Sequence, residues 1–292
     1  MSIVVLLTHP ARANLDWAVV IALSNAWGGT NPKWLNPAVA AEFGVDTVPS
    51  NHEDVWQEMQ AIGIDLLIVS AKRRRKSVLL ADMDSTMIGQ ECIDELAAHA
   101  GIGAKVADIT ARAMDGQLDF ETALNERVAL LKGLAQSVIA TVISERITLS
   151  SGARQLVSTM RHHGAYAALV SGGFTDFTAH IAQILGFDEN RANVLLMKDH
   201  LLTGRVALPI LGKEAKVTAL NDIIAARGLT AQDVIAVGDG ANDLGMLHIA
   251  GMGVAVHAKP SVAAQCSLRV NYGDLTSLLY IQGYEIGQFH GL

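Results

Sequence analysis

Short, uninterrupted apolar runs punctuate this chain, and most of them stop abruptly at small or acidic residues. Beyond residue 76 they are "VLLA" (78–81), "AALV" (167–170), "VIAV" (234–237) and "VAV" (254–256). The first stops at Asp82, the second at Ser171-Gly172-Gly173, the third at Gly238-Asp239-Gly240 and the last at His257. Helical spacing fills the intervals, as in "GKEAKVTALNDIIAARG", where Val217, Leu220 and Ile224 fall on one face. Continuous apolar strands alternating with helices predict an α/β fold, a parallel sheet covered on both sides. Ligands of such sheets bind outside the carboxyl ends of the strands, which is where these polar clusters sit.

Two stretches break the alternation. Residues 94–150 read as wholly helical, with "DELAAHAG" and "FETALNERVALLKGL" amphipathic, and predict a helical subdomain inserted after the first strand. "NVLLMKDHLLTGRVALP" (193–209) predicts a β-hairpin excursion. Ahead of the sheet, residues 2–7 predict a strand and "NLDWAVVIALSNAWG" a helix with Asn14 as N-cap and Gly28 as stop. "AVAAEFGV" predicts a strand, "NHEDVWQEMQAIG" a helix and "DLLIVS" a strand. Residues 1–70 thus form a small α+β domain of β-α-β-α-β order. "AKRRRK" (71–76) reads as a basic, solvated linker, and residues 77–292 form the larger domain. Every candidate chemical residue lies beyond the linker, so a chain beginning near Ala71 is expected to keep the chemistry.

Composition narrows the function. Half of the 292 residues are hydrophobic, 17% are charged, and the formal net charge is −7. That balance argues against nucleic acid or an anionic membrane as partner. No apolar stretch approaches the roughly 20 residues that span a bilayer, and "MSIVVLLTHP" lacks the basic start of a secretory signal. Cys92 and Cys266 have no CxxC spacing, and a reducing, cytoplasmic setting is expected. Cys92 reads as a small packed residue rather than a nucleophile.

The chemistry starts from Asp82 and Asp84. Two carboxylates at i and i+2 on a strand share a face and repel unless a cation joins them. Asp239, at another strand end, offers a further oxygen, and this ligand set points to Mg²⁺. One Asp at a strand end is usually a turn former; three at strand ends outweigh that. For phosphoryl transfer, Asp82 is the candidate nucleophile, and Asp84 the acid that protonates the leaving oxygen and then the base. Ser171 and the backbone N–H groups near Gly172 are candidates to hold phosphate, with Lys216 balancing charge.

"DMDSTM", then "SGG", a lysine and "GDGANDLGML", in that order, resemble the haloacid dehalogenase-type phosphatases. Glu91 in "IGQECIDELA" and Met114, Phe120 and Arg127 in "AMDGQLDFETALNERVALLKGL" narrow the likeness to the phosphoserine phosphatases, over about residues 77–287. The resemblance implies a Rossmannoid parallel sheet with a helical cap. It implies hydrolysis of O-phospho-L-serine through an aspartyl-phosphate, the last step of serine biosynthesis. It also implies Mg²⁺ held by Asp82, the Asp84 carbonyl and Asp239, with Asp243 orienting. Ser171, Gly172 and Lys216 would contact phosphate, with Asn242 nearby. Glu91 would take the substrate ammonium, Arg127 its carboxylate, and Met114 and Phe120 would line the pocket. Residues 1–70 resemble an ACT-like regulatory domain, and a homodimer is compatible with this reading. From the residues alone, Arg127 pairing with Glu126 or Glu121 stays open. So do a phosphotransferase or phosphatase acting on another amino acid or amine, a phospho-accepting receiver, and an amino-acid sensor.

Overall fold

The computed structural model describes residues 1–114 and 117–291, the side chain of Met114 excepted. The first unit comprises β1 (Ser2–Leu7), α1 (Trp17–Ala26), β2 (Thr30–Asn36), β3 (Ala40–Val45), α2 (His52–Ala61) and β4 (Asp65–Ser70). Its sheet has the order β2-β3-β1-β4, with β1 antiparallel to both neighbours. The order is therefore β-α-β-β-α-β, one strand more than the apolar pattern predicts. β2, "TNPKWLN", escapes that pattern because it is a largely exposed edge strand, where Pro32 is tolerated. The cap of α1 also differs from expectation: Asp16, not Asn14, accepts the Ala18 N–H at 2.8 Å.

Most antiparallel sheets keep one wet face and alternate accordingly, yet β1 and β4 are apolar almost throughout. Both faces are covered. Val4, Leu6, Phe43 and Leu66 pack with α1 and α2, while Val5, Leu7, Leu67 and Val69 join the main core of the larger unit. Asp65, fully buried, accepts the N–H groups of Asn271, Tyr272 and Gly273 at 2.8–2.9 Å. The basic stretch 71–76 is only partly solvated. Arg74 pairs with Glu42 at 2.6 Å and donates to the carbonyls of Tyr280 and Ile281. Lys76 is buried, with Nζ on the Gln232 carbonyl at 2.7 Å. A charge run reads as solvated because none of its partners is near in sequence: Glu42 lies on β3, and Gln232, Tyr280 and Ile281 lie far towards the other end of the chain.

The larger unit runs β5 (Val78–Ala81), α3 (Cys92–His99), α4 (Gly103–Met114), α5 (Phe120–Ala129), α6 (Ser137–Arg146), α7 (Ala153–His162), β6 (Tyr166–Phe174), α8 (Thr175–Leu185) and β7 (Glu189–Asn193). It continues with β8 (Leu195–Lys198), β9 (Leu201–Val206), α9 (Lys213–Arg227), β10 (Val234–Gly238), α10 (Leu244–Ile249), β11 (Met252–Val256), α11 (Pro260–Ala263), β12 (Leu268–Val270) and α12 (Ser277–Tyr280). Six strands form one sheet, β12-β11-β10-β5-β6-β7, and every adjacent pair is parallel. β5 is apolar at each position because Leu79 and Ala81 face one core and Val78 and Leu80 the other. The order reverses between β5 and β10, and such a switch point opens a crevice at the strand ends.

Helices α3–α6 form the cap. Its neck is a pair of crossing segments: Gly89 N–H donates to Thr148, and Ser150 N–H to Met87. The β8–β9 hairpin, though inserted much later in the chain, docks on the cap through Gly133, Leu134 and Gln136. α9 is rotated from the expected face: Lys216, Ala219, Leu220 and Ile223 are buried, whereas Val217 and Ile224 are half-covered. A lysine occupies a core position there because acidic partners await it. No helix among the described residues is long and apolar enough to cross a membrane.

Candidate active site

Asp82 and Asp84 lie just past β5, not on it as their spacing suggests. Asp82 extends the ladder by one bond, its N–H donating to the Val237 carbonyl at 3.0 Å, and the chain then turns. The Met83 N–H donates back to Asp82 Oδ1 at 2.8 Å. Asp84 Oδ1 accepts the N–H of Cys92, at the start of α3, at 3.3 Å. Its Oδ2 lies 2.7 Å from where a Cβ on Gly173 would be, so only glycine admits the carboxylate there. Ser85 takes a left-handed conformation (φ 53°), and its hydroxyl donates to Glu91 at 2.7 Å.

Across the switch point, β10 delivers Asp239. Thr86, buried, donates to Asp239 Oδ1 at 3.2 Å. Asp243 Oδ2 accepts the N–H groups of Asp239 and Gly240 at 3.1 and 2.9 Å. A Cβ at Gly238 would sit 2.3 Å from Asp243 Cγ, so the glycine makes room for this hook. Lys216 Nζ reaches Asp82 Oδ1 at 2.7 Å and also binds Asp243 Oδ1. Ser171 Oγ accepts the Gly173 N–H at 2.8 Å.

Four carboxylates thus crowd one ammonium, and burial shapes their charge. Burial pushes Asp82 well above the usual carboxylate range, with Lys216 opposing and Asp243 and Asp84 reinforcing. Burial, then Glu91, lifts Asp84 to about 7. Burial, then Asp243 and Glu91, lifts Asp239 to about 6. For Lys216 burial works to lower the value, but Asp82 and Asp243 override it and hold the ammonium charged. Asp82, Asp239 and Asp243 each offer an oxygen within 4.8 Å of the others. Excess negative charge around hard oxygen donors fits a divalent cation. Asp243 is the weakest ligand of the three, since both its oxygens are already engaged.

Residues 79–248 match the haloacid dehalogenase-like hydrolases. A phosphoserine phosphatase from Streptomyces coelicolor is 40% identical over 292 residues, covering 97% of this chain and 70% of its own. The chain belongs to the phosphoserine phosphatase family of haloacid dehalogenase-like hydrolases. A haloacid dehalogenase family hydrolase from Salmonella enterica serovar Typhi shares the architecture across 98% of this chain and 99% of that one. Its TM-score is 0.88 at 28% identity. A phosphoserine phosphatase solved as a phospho-aspartyl intermediate analogue covers 70% of this chain and 98% of its own. It is 39% identical, with a TM-score of 0.66.

In this family member the cap residues Glu91, Phe120 and Arg127 sit on or beside α3 and α5. Glu91 is exposed at the start of α3, hydrogen-bonded to Ser85. Phe120 opens α5, its Cζ 3.2 Å from a Cβ position at Gly172 and its Cδ1 3.4 Å from one at Gly212. Arg127 is half-buried, with Nε on the Ala123 carbonyl at 3.2 Å. Glu126 pairs instead with Arg112 at 3.1 Å, and Arg127 forms no ion pair within 4.0 Å among the described residues. Burial lowers its guanidinium value against the pull of Asp94 and Glu91. Asn242 Oδ1 sits beside Gly240. The side chain of Met114 lies outside the described residues.

Sequence reasoning missed Thr86, Gly212 and Asn193. Thr86 stands inside "DMDSTM" and was there to be found; Asn193 and Gly212 carry no local signal, because their partners are distant in sequence. A cleft of about 820 Å³ between α6, α8 and the hairpin, lined by Ile143, Asp176, His180 and His200, is separate from the carboxylates.

Proposed function

We propose that this phosphatase hydrolyses O-phospho-L-serine to L-serine and inorganic phosphate in the cytoplasm, with Mg²⁺ as its cofactor. The reading rests on a buried acidic floor with one lysine, together with cap elements that carry the Glu91 carboxylate and the Arg127 guanidinium, which forms no ion pair within 4.0 Å among the described residues.

Asp82 attacks phosphorus. Its Oδ1 is held by Lys216 and the Met83 N–H, and no described residue donates to Oδ2, which leaves that oxygen for the attack. The bond from phosphorus to the serine oxygen breaks as the bond to Asp82 forms. Asp84, with a value near 7, protonates the departing oxygen and then, ionised, takes a proton from the water that hydrolyses the aspartyl-phosphate. Asp82, the Asp84 carbonyl and Asp239 would hold Mg²⁺, which when bound neutralises negative charge between phosphate and carboxylates. Ser171, the N–H groups around Gly172 and Lys216 orient the phosphate oxygens, with Asn242 near them. Asp243 holds Lys216 and the Asp239 turn in place.

The cap reads the rest of the substrate. Glu91 meets the ammonium and Arg127 the carboxylate as a planar fork. Phe120 covers the Gly172 segment and excludes water. Two free, buried cysteines suit a reducing compartment. A panel of phosphorylated amino acids and amines tests the assignment, with phosphoserine expected to have the highest kcat/KM. A preference for a phosphomonoester lacking the carboxylate would overturn it.

A further inference from the structure

Asn193 ends β7 with 1% of its surface exposed, and no charged group is among its hydrogen-bond partners. Its amide is nonetheless engaged at both ends. Nδ2 donates to the Gly172 carbonyl at 2.9 Å and to the Leu211 carbonyl at 3.2 Å. Oδ1 accepts the Leu211 N–H at 2.8 Å. These partners fix the orientation, because a flipped amide would set its oxygen against two carbonyls. Aspartate would make the same clash, and a shorter side chain would not span both segments.

The two segments so joined have nothing else in common in the sequence. One is the C-terminal end of β6, Ser171-Gly172-Gly173, where the pairing with β7 is irregular; the other is the loop that leads through Gly212 into α9 and Lys216. They meet beneath one cap side chain. The Phe120 ring lies 3.2 Å from a Cβ position at Gly172 and 3.4 Å from one at Gly212. A pair of glycines forms a flat seat, and the ring of the cap rests on it. Seat width is set by the distance between the segments, and the Asn193 amide is the brace that spans it.

We infer that Asn193 is a positioning residue for turnover: it braces the Gly172–Gly212 seat on which Phe120 settles when the cap covers the phosphate. The inference rests on the proposed role of Phe120 but adds a residue that touches neither substrate nor cofactor. It acts through the ring, so its effect depends on the ring being present. A buried amide that served the fold alone would cost activity to the same extent with or without Phe120.

A double-mutant cycle separates these two cases. Asn193→Ala is expected to lower kcat/KM for phosphoserine by roughly tenfold to a hundredfold, the scale of a misplaced site element. In a Phe120→Ala background the same change is expected to cost less than about twofold, because the seat no longer has an occupant. Thermal midpoints of all four proteins report any loss of fold separately. If Asn193→Ala does not fold, Asn193→Ser, which keeps one hydroxyl between the segments, is read in the same cycle. Losses that multiply would overturn the inference while leaving Phe120 in its proposed role. A Phe120→Ala protein as active as the parent would overturn both.

Discussion

The floor and the cap of this site are built on opposite principles. Asp82, Ser171, Lys216, Asp239 and Asp243 are buried at strand ends or on helices, and all but Ser171 are joined to one another by hydrogen bonds. Glu91, Phe120 and Arg127 ride on helices of an insertion and remain partly open to solvent. The floor costs stability: four acids share one ammonium in a place from which water is largely excluded. The cap costs little, because its charged groups still meet solvent. In the proposed reading, the chemistry that demands fixed charge falls to buried strand ends, and recognition of the amino-acid end falls to the cap, a part joined by a narrow neck.

That division gives a graded set of outcomes. Asp82→Asn should abolish turnover and acid-stable phosphoenzyme while circular dichroism stays native; near-parental activity would remove Asp82 as the nucleophile. Asp84→Asn should slow phosphorylation and hydrolysis each by roughly 10²-fold, because one group serves as acid and then base. Single-turnover measurement of both steps checks this, and an effect on only one step would split the role.

A third outcome concerns the N-terminal unit. Its catalytic independence, expected from the position of the motifs, meets a shared core in the structure. Val5, Leu7, Leu67 and Val69 pack on the larger unit, and Asp65 secures the 271–273 loop. A chain beginning at Ala71 should therefore lose solubility before it loses chemistry. Asp65→Ala in the full chain should cost roughly 3 kcal/mol, since one buried and two partly buried N–H groups lose their acceptor. Denaturant unfolding measures it, and a cost near zero would mean that the loop is held otherwise.

The smallest effect is one of sign. Asp84 and Asp239 are raised to about 7 and about 6, and Asp82 is raised too, so the folded state disfavours their ionised forms. Their contribution to stability is complete below the ordinary value of 3.8 and is lost as pH rises through about 6 to 7. Without metal, the protein should melt lower at the alkaline end of that window than at the acidic end, with Mg²⁺ narrowing the gap. Asp82→Asn should raise the metal-free midpoint on the alkaline side by about 2–4 °C, the shift that roughly 1 kcal/mol produces in a chain of this size. A parent that melts higher as pH rises would contradict the charge account.

How far the sequence revealed these features depended on the range of the interactions. The strands "VLLA" and "VIAV" and the acids behind them were legible because burial on both faces leaves an unbroken apolar run ending at the crevice. β2 was not, because an exposed edge strand containing Pro32 has no apolar signature. Lys216 is legible as a candidate, yet the buried face of α9 is not, because a lysine carries a polar signature even where it fills a core position. Arg74 and Lys76 have no local sequence hint of Glu42, Tyr280 and Gln232, so their burial is not legible from the basic run. The covered face of the first sheet was in fact written in "SIVVLL", where an antiparallel strand with one wet face would alternate.

The central claim, that the floor performs the reaction and the cap reads the amino-acid end, is tested most directly by one comparison of kcat/KM. Parent and Arg127→Ala are each measured on phosphoserine and on O-phosphoethanolamine, which keeps phosphate and ammonium but lacks the carboxylate. The account predicts a loss of roughly 2–4 kcal/mol of transition-state stabilisation on phosphoserine and little change on phosphoethanolamine, already a poor substrate for the parent. General damage cancels in the ratio. Equal losses on both substrates would contradict the account and leave Arg127 as a part of the cap fold.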